Sequence, residues 1–354
     1  MLTSQTGNSF SHKLLHWHKH FNKREMPWKG EKDPYKIWLS EVILQQTRVE
    51  QGRNYYEKIL RRFPSVCDLA KADDNEVFKL WEGLGYYNRC KNLLFTARYI
   101  CYNLNGIFPD NYEDVLMLKG VGSYTASAIC SFAYNQPYAV VDGNVFRVLS
   151  RIYGVETAID SNEGKNVFTE LAEKNLLPGK ANLYNQAIMD FGATVCKPVN
   201  PQCAVCCMNT ICNAYLSGRV SLLPVKEKVL QKKTRHFTWF VLRVKDKYFI
   251  HQRTANDIWQ NLHEFYLLET DNKPHWGEDS VTDFCNNQFS VIPSKINISH
   301  VYSQQLTHQT IKAVFIEIFL DKKPASIMHS SWIDKKEIRQ YAFPKIINDF
   351  LSGK

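Results

Sequence analysis

Several groups of residues in this chain sit at spacings that suit chemistry. Five of its ten cysteines, Cys196, Cys203, Cys206, Cys207 and Cys212, fall within residues 196–212. Four of them follow C-x6-C-x2-C-x5-C, which is too tight for a disulfide framework and suits metal. Zinc usually takes two paired knuckles, and only one C-x2-C is present, so a [4Fe–4S] cluster is favoured over zinc. Cys207 lies outside the pattern. Glu41, in IWLSEVILQQTRV, is surrounded by apolar residues on a helical stretch. Burial raises a carboxyl pKa and suits a general acid, while pairing with a neighbour such as Arg48 is the structural alternative. In YAVVDGNVFRV an apolar run ends at Asp142 and a helix follows. Capping that helix is the commonest role for such an Asp, and facing a cationic transition state is the other.

Two glycine-rich turns complete the set. LKGVG joins two helices, and Gly120 and Gly122 leave unpartnered N–H groups at the start of the second, beside the Ser123 hydroxyl. Such a terminus can hold a phosphate without reading sequence, or it can be an ordinary helix–helix turn. GLGYYNR places Tyr86 and Tyr87 at a second turn, where aromatics either wedge into a base stack or pack.

Helical signals position these residues from about 10 to 217. DPYKIWLSEVILQQTRVEQGRNYYEKILRRF runs apolar at helical spacing behind an Asp33 cap and Pro34. NEVFKLWEGL, KNLLFTARYICYNL, VFTELAEKNL and ANLYNQAIMDFGATVC continue the pattern. Residues 218–235 read as a linker with a Gly, a Pro and a Lys-rich run. Beyond it the period becomes two: FTWFVLRV and YFIHQR form a hairpin, IKAVFIEIFL alternates, and KKEIRQYAFPKIINDFL is a closing helix. A chain of 354 residues fits two domains. The net charge of +9 suits a polyanionic partner or a solvated basic surface. The N-terminus lacks the apolar run of a signal peptide, and no stretch reaches about eighteen apolar residues, so a cytoplasmic protein without a membrane span is expected. Cys67, Cys90, Cys101, Cys130 and Cys285 are expected to be buried thiols.

In order, SEVILQQTRV, GLGYYNR, LKGVGSYTA, VVDGNVFRV, NQAIMDFGATVC and the four-cysteine spacing resemble the adenine DNA glycosylases, a family of the helix-hairpin-helix base-excision superfamily. The resemblance implies a multidomain protein. An all-α helix-hairpin-helix glycosylase domain, residues 1–217, would hold a six-helix lobe and a [4Fe–4S] lobe. A linker, 218–235, would lead to an α+β Nudix-like domain, 236–354, that reads 8-oxoguanine. That domain lacks the G-x5-E-x7-R-E-x2-E-E box, so no nucleoside diphosphate hydrolysis is expected.

The resemblance also implies roles. Glu41 would protonate adenine, Asp142 would stabilise or trap the oxocarbenium-like sugar, and Tyr124 and Asn144 would support them. Arg24, Trp28, Leu44 and Gln186 would line the base pocket. Gln46 and Tyr86 would fill or wedge the stack, while Gly120, Gly122 and Ser123 hold a phosphate. Thr307 and His308 would read the lesion, and Cys196, Cys203, Cys206 and Cys212 would bind the [4Fe–4S] cluster. The substrate would be duplex DNA with an A:8-oxoG or A:G mispair, bound by a monomer. Relatives that cut the strand carry a Schiff-base Lys where this chain has Tyr124, which implies a monofunctional enzyme. Three departures stand out: Lys29 where the family has Arg, Lys119 where it has Pro, and Thr307 where it often has Ser. The rival readings are an oxidised-pyrimidine glycosylase with lyase activity, a non-catalytic DNA-binding or redox-sensing protein, and a zinc-stapled structural protein.

Overall fold

The structure, a computed structural model, describes residues 4–227, 232–327 and 331–353. Among the described residues twelve α-helices precede the first strand: α1 (Ser4–His20), α2 (Pro34–Leu44), α3 (Val49–Arg62), α4 (Val66–Ala70), α5 (Asp74–Trp81), α6 (Tyr87–Asn103), α7 (Tyr112–Met117), α8 (Ser123–Tyr134), α9 (Gly143–Tyr153), α10 (Asn162–Lys174), α11 (Ala181–Thr194) and α12 (Asn213–Leu216). The remainder runs β1 (Lys233–Val244), β2 (Lys247–Phe249), β3 (His251–Gln252), β4 (His263–Glu264), β5 (Tyr266–Thr270), α13 (Glu278–Phe289), β6 (Lys295–Ile298), β7 (Tyr302–Gln305), β8 (Gln309–Leu320), β9 (Trp332–Asp334) and α14 (Lys345–Leu351). Two compact units result: Met1–Lys71 with Asn92–Val229, and Ala72–Lys91 with Leu230–Lys354.

In the first unit α2 packs on α8, and α9 on α11 and α12. Its core gathers Phe10, Leu14 and Trp17 of α1 with Leu149, Tyr184 and Phe191, all buried. The Asp33 cap accepts from Tyr35 N at 2.9 Å and Pro34 opens α2, as expected. The helical run does not continue to Phe63, however. It breaks after Leu44, where Gln46 takes a left-handed backbone (φ 57), and restarts at Val49. Residues 218–227, read as linker, are tied down: Ile159 N donates to Val225 O at 3.0 Å, and Arg151 Nε to Leu223 O at 3.0 Å. The rest of that stretch divides between residues 228–231, outside the described ones, and the start of β1. Cys67 and Cys101 are not free thiols but a disulfide linking α4 to α6. Their Cα atoms lie 5.1 Å apart across 34 residues of sequence, a proximity that spacing alone does not reveal.

In the second unit β1 and β8 pair in parallel over their full length, Lys233↔Gln309 to Val244↔Leu320. Antiparallel β2 and β5 extend the β1 side, and β6 and β7 the β8 side. Phe240 on the sheet stacks on Phe284 of α13 at 4.2 Å between centroids. The closing helix is shorter than its sequence pattern: Pro344 caps α14, and only a 3-10 turn, Ile338–Gln340, precedes it.

Candidate active site

In the first unit, a cleft of about 800 Å³ is lined from α2, the loop after it, α8, α9, α11 and the segment between α1 and α2. Glu41, Tyr124, Asp142 and Asn144 all face it, as do Arg24, Trp28, Leu44, Gln46 and Gln186.

Glu41 lies two-thirds of the way along α2 and is 7 % exposed. Burial pushes its carboxyl up to about 7, the negative charge of Asp142 adds to this, and a hydrogen bond from Tyr124 opposes it. Tyr124 is half-buried in the first turn of α8, and desolvation of its hydroxyl, then the charges of Glu41 and Asp142, hold its phenol well above the usual value. It therefore remains a donor near neutrality. Asp142 is the N-cap of α9: Oδ1 accepts from Asn144 N and Val145 N, each at 2.8 Å, and Oδ2 from Asn144 Nδ2 at 2.8 Å. The capping and cavity-facing readings are thus compatible, because the same carboxylate caps α9 and lines the cleft.

Asn144 is held in turn. Its Oδ1 accepts from Arg147 at 2.8 Å, and Arg147 also donates to the carbonyls of Gly192 (2.7 Å) and Cys196 (2.8 Å). A Cβ on Gly192 would lie 2.6 Å from Asn144 Cβ, so α11 approaches α9 this closely only through a glycine. Asp190, fully buried on α11, accepts from Asn22 (2.7 Å) and Arg24 (3.0 Å), with Lys29 Nζ at 3.3 Å. Lys29 thus engages a carboxylate with a single contact where a guanidinium offers a fork. Trp28 packs edge-on to Tyr56 at 5.3 Å. Asp190, Lys29 and Arg147 were not among the expected site residues. A carboxylate in the apolar stripe of α11 was the signal available for Asp190.

At the LKGVG turn, Gly120 has φ +81 and its Cβ would meet Asn92 at 2.7 Å, so both conformation and space require glycine. Gly122 is the N-cap of α8 without a side-chain cap, and open space lies where its Cβ would be. Gly120, Gly122 and Ser123 do not line the cleft.

Cys196, Cys203, Cys206 and Cys212 line one small cavity, with Arg151, Phe191 and Met208 among its other walls, and Cys207 does not. Arg151 lies 3.5 Å from Cys196 Sγ and also donates to Lys197 O at 2.8 Å. Among the described residues no three potential ligands are close enough to share one metal ion. A four-iron cluster holds its thiolates wider apart than one tetrahedral ion does, and an all-sulfur donor set fits it. Burial raises the thiols of Cys196, Cys203 and Cys212, so their thiolate forms call for a cationic partner.

Tyr86, Thr307 and His308 belong to the second unit. Tyr86 is 41 % exposed, has φ 49, and carries Arg89 over its ring at 5.2 Å. Its hydroxyl shares a hydrogen bond with that of Thr307. His308 is exposed, and its carbonyl accepts from Lys233 N at 3.1 Å.

Known proteins resemble both parts of the chain. Residues 39–174 match the HhH-GPD superfamily of base excision DNA repair proteins, and 238–353 match the NUDIX domain. The adenine DNA glycosylase of Buchnera aphidicola subsp. Baizongia pistaciae is 33 % identical over 316 residues, 88 % of this chain and 87 % of its own. That of the Acyrthosiphon pisum subspecies is 32 % identical over 355 residues, 97 % of each chain. The structure of a thermostable thymine-DNA glycosylase is 30 % identical, with a TM-score of 0.57 over 61 % of this chain and all of its own. Among the described residues no helix is long and apolar enough to cross a membrane.

Proposed function

We propose, because this chain belongs to the adenine DNA glycosylase family, that it releases adenine mispaired with 8-oxoguanine or guanine from duplex DNA. It is a DNA N-glycosylase with a helical HhH-GPD domain and a sheet-containing Nudix-like domain. The observation that carries the finer reading is that Glu41, Tyr124 and Asp142 face one cleft while burial holds Glu41 near neutrality.

Extruding the adenine costs a few kcal/mol, least for a mispair. Arg24, Trp28, Leu44 and Gln186 receive the base. Glu41 in its acid form protonates the adenine, at N7 by family expectation. The glycosidic C–N bond then breaks, and its electron pair stays with the neutral base. Asp142 stabilises or traps the cationic sugar; water then adds at the anomeric carbon, displacing Asp142 where it has bonded and passing its surplus proton to the Glu41 carboxylate, to leave an abasic site. Tyr124 donates to Glu41 and helps to hold the carboxylate once the proton has left. Asn144 fixes Asp142 and is itself fixed by Arg147. Because Tyr124 cannot form an imine, the strand stays intact until alkali is added. Gln46 and Tyr86 enter the stack, Thr307 and His308 read the opposite base, and the turn of Gly120, Gly122 and Ser123 holds a phosphate. Cys196, Cys203, Cys206 and Cys212 would hold a [4Fe–4S] cluster, which would close the loop around itself. We place the protein in the cytoplasm, acting as a monomer on the DNA there.

The test is single-turnover adenine release from A:8-oxoG, A:G and A:T duplexes, read with and without alkali. Alkali-dependent breaks on the two mispairs alone are expected. Equal release from A:T, or breaks without alkali, would refute this reading.

A further inference from the structure

The turn that carries Tyr86 is clamped by the last helical segment of its own unit. Glu82 Oε1 accepts from the backbone N–H of Phe343 at 2.8 Å and from Asn348 Nδ2 at 2.9 Å. Lys79 Nζ donates to Glu82 Oε2 at 2.7 Å and to the carbonyl of Tyr341 at 2.9 Å. At the far side, Lys91 Nζ reaches Gln260 Oε1 at 3.2 Å, and Tyr86 itself bonds to Thr307. Phe343 is buried, so its N–H depends on the Glu82 oxygen rather than on water. Between the clamps the backbone is unusual. Gly83, Gly85 and Tyr86 all have positive φ, and Trp81 Nε1 donates to Gly85 O at 3.0 Å. A tyrosine holds such a conformation only where its surroundings over-determine it.

We propose that Glu82 is the positioning residue that fixes the Tyr86 turn to the C-terminal domain, so that the wedging ring and Thr307 read the base opposite adenine as one element. The inference rests on the assignment of Tyr86 and Thr307 to that base. Glu82 is not among the residues that line the cleft and acts through the turn. Without it, Tyr86 and Thr307 keep their identities and lose their common frame. A clip that served stability alone would lower adenine release from every duplex by the same factor. A positioning residue lowers the preference between duplexes.

The experiment measures single-turnover adenine release from A:8-oxoG and A:G by the full-length protein and its variants. Glu82→Ala is expected to reduce the preference for A:8-oxoG about tenfold, the size of one lost buried hydrogen-bond site. Glu82→Gln keeps an oxygen that can accept from both Phe343 and Asn348, and is expected to restore the preference to within about threefold of wild type. Lys79→Ala, a milder change that serves if Glu82→Ala does not fold, is expected to reduce it about threefold. Variants that slow both duplexes equally, or that keep the wild-type preference, would overturn the proposal. A wild-type protein that treats both duplexes alike would overturn the lesion-reading assignment, and this inference with it.

Discussion

The cleft and the Tyr86 turn are built from different backbone. In the cleft the polar side chains stand on helices, with Glu41 and Gln186 inside α2 and α11, Tyr124 in the first turn of α8, and Asp142 capping α9. Glu41, Tyr124 and Asp142 are fixed by burial or by hydrogen bonds. At the turn, Tyr86 and Thr307 stand on loops, meet through hydroxyls, and depend on side chains such as Glu82 for their placement. Bond breaking tolerates little displacement of the reacting groups, and helices supply that fixity. Telling one opposite base from another is a difference of affinities, which side chains on adjustable loops can set.

If this contrast holds, changes in the cleft abolish reaction on every duplex, whereas changes at the turn shift only the preference. Glu41→Gln and Asp142→Asn give the largest effects. Each should slow adenine release about 10³-fold from both mispairs with the circular dichroism spectrum kept, and a loss confined to A:8-oxoG would break the contrast. The acid role of Glu41 also predicts that wild-type rates fall as pH rises through about 7. Its effect on stability has a definite sign. A raised folded-state pKa means the native state holds a proton that the unfolded chain gives up near 4.5. Stability therefore falls as pH rises from about 4.5 to about 7 and levels off above. Glu41→Gln should recover up to about 3 kcal/mol at pH 8, measured by denaturant unfolding.

Cys206→Ser should abolish iron content and visible absorbance, while Cys207→Ser leaves both, as an anaerobic iron assay would show. Arg147→Ala should slow both duplexes alike, by about tenfold, because it releases Asn144 and hence Asp142. Thr307→Ala gives the smallest effect, a loss of about threefold in A:8-oxoG preference with the A:G rate kept. A larger effect of Thr307→Ala than of Arg147→Ala on A:G would reverse the proposed division of labour.

The features visible in the sequence were those written locally. The Asp33 cap, the Pro34 start, the LKGVG turn and the alternation of β8 each depend on a few neighbouring residues, and each lies where its pattern put it. What remained hidden depends on distant partners. Gln45 to Arg48 are acceptable helix formers, so nothing local announces the break that leaves Gln46 in left-handed conformation. Asp190 is intelligible only with Arg24 and Lys29, more than 150 residues away in sequence. Residues 72–91 carry helical patterning like their neighbours, yet pack with the C-terminal unit, through Glu82 and Lys79 among others. Pro344 did announce the start of α14, but the amphipathic reading of the residues before it masked the signal.

Gly192 carries no functional group, yet even the smallest side chain there would be felt at the site. An alanine there adds one methyl group, which must displace Asn144, and Asn144 holds Asp142. In a survey of natural variants this position would register as intolerant although it lines no part of the cleft. Its substitution would inactivate through geometry, leaving every reactive atom in the chain present.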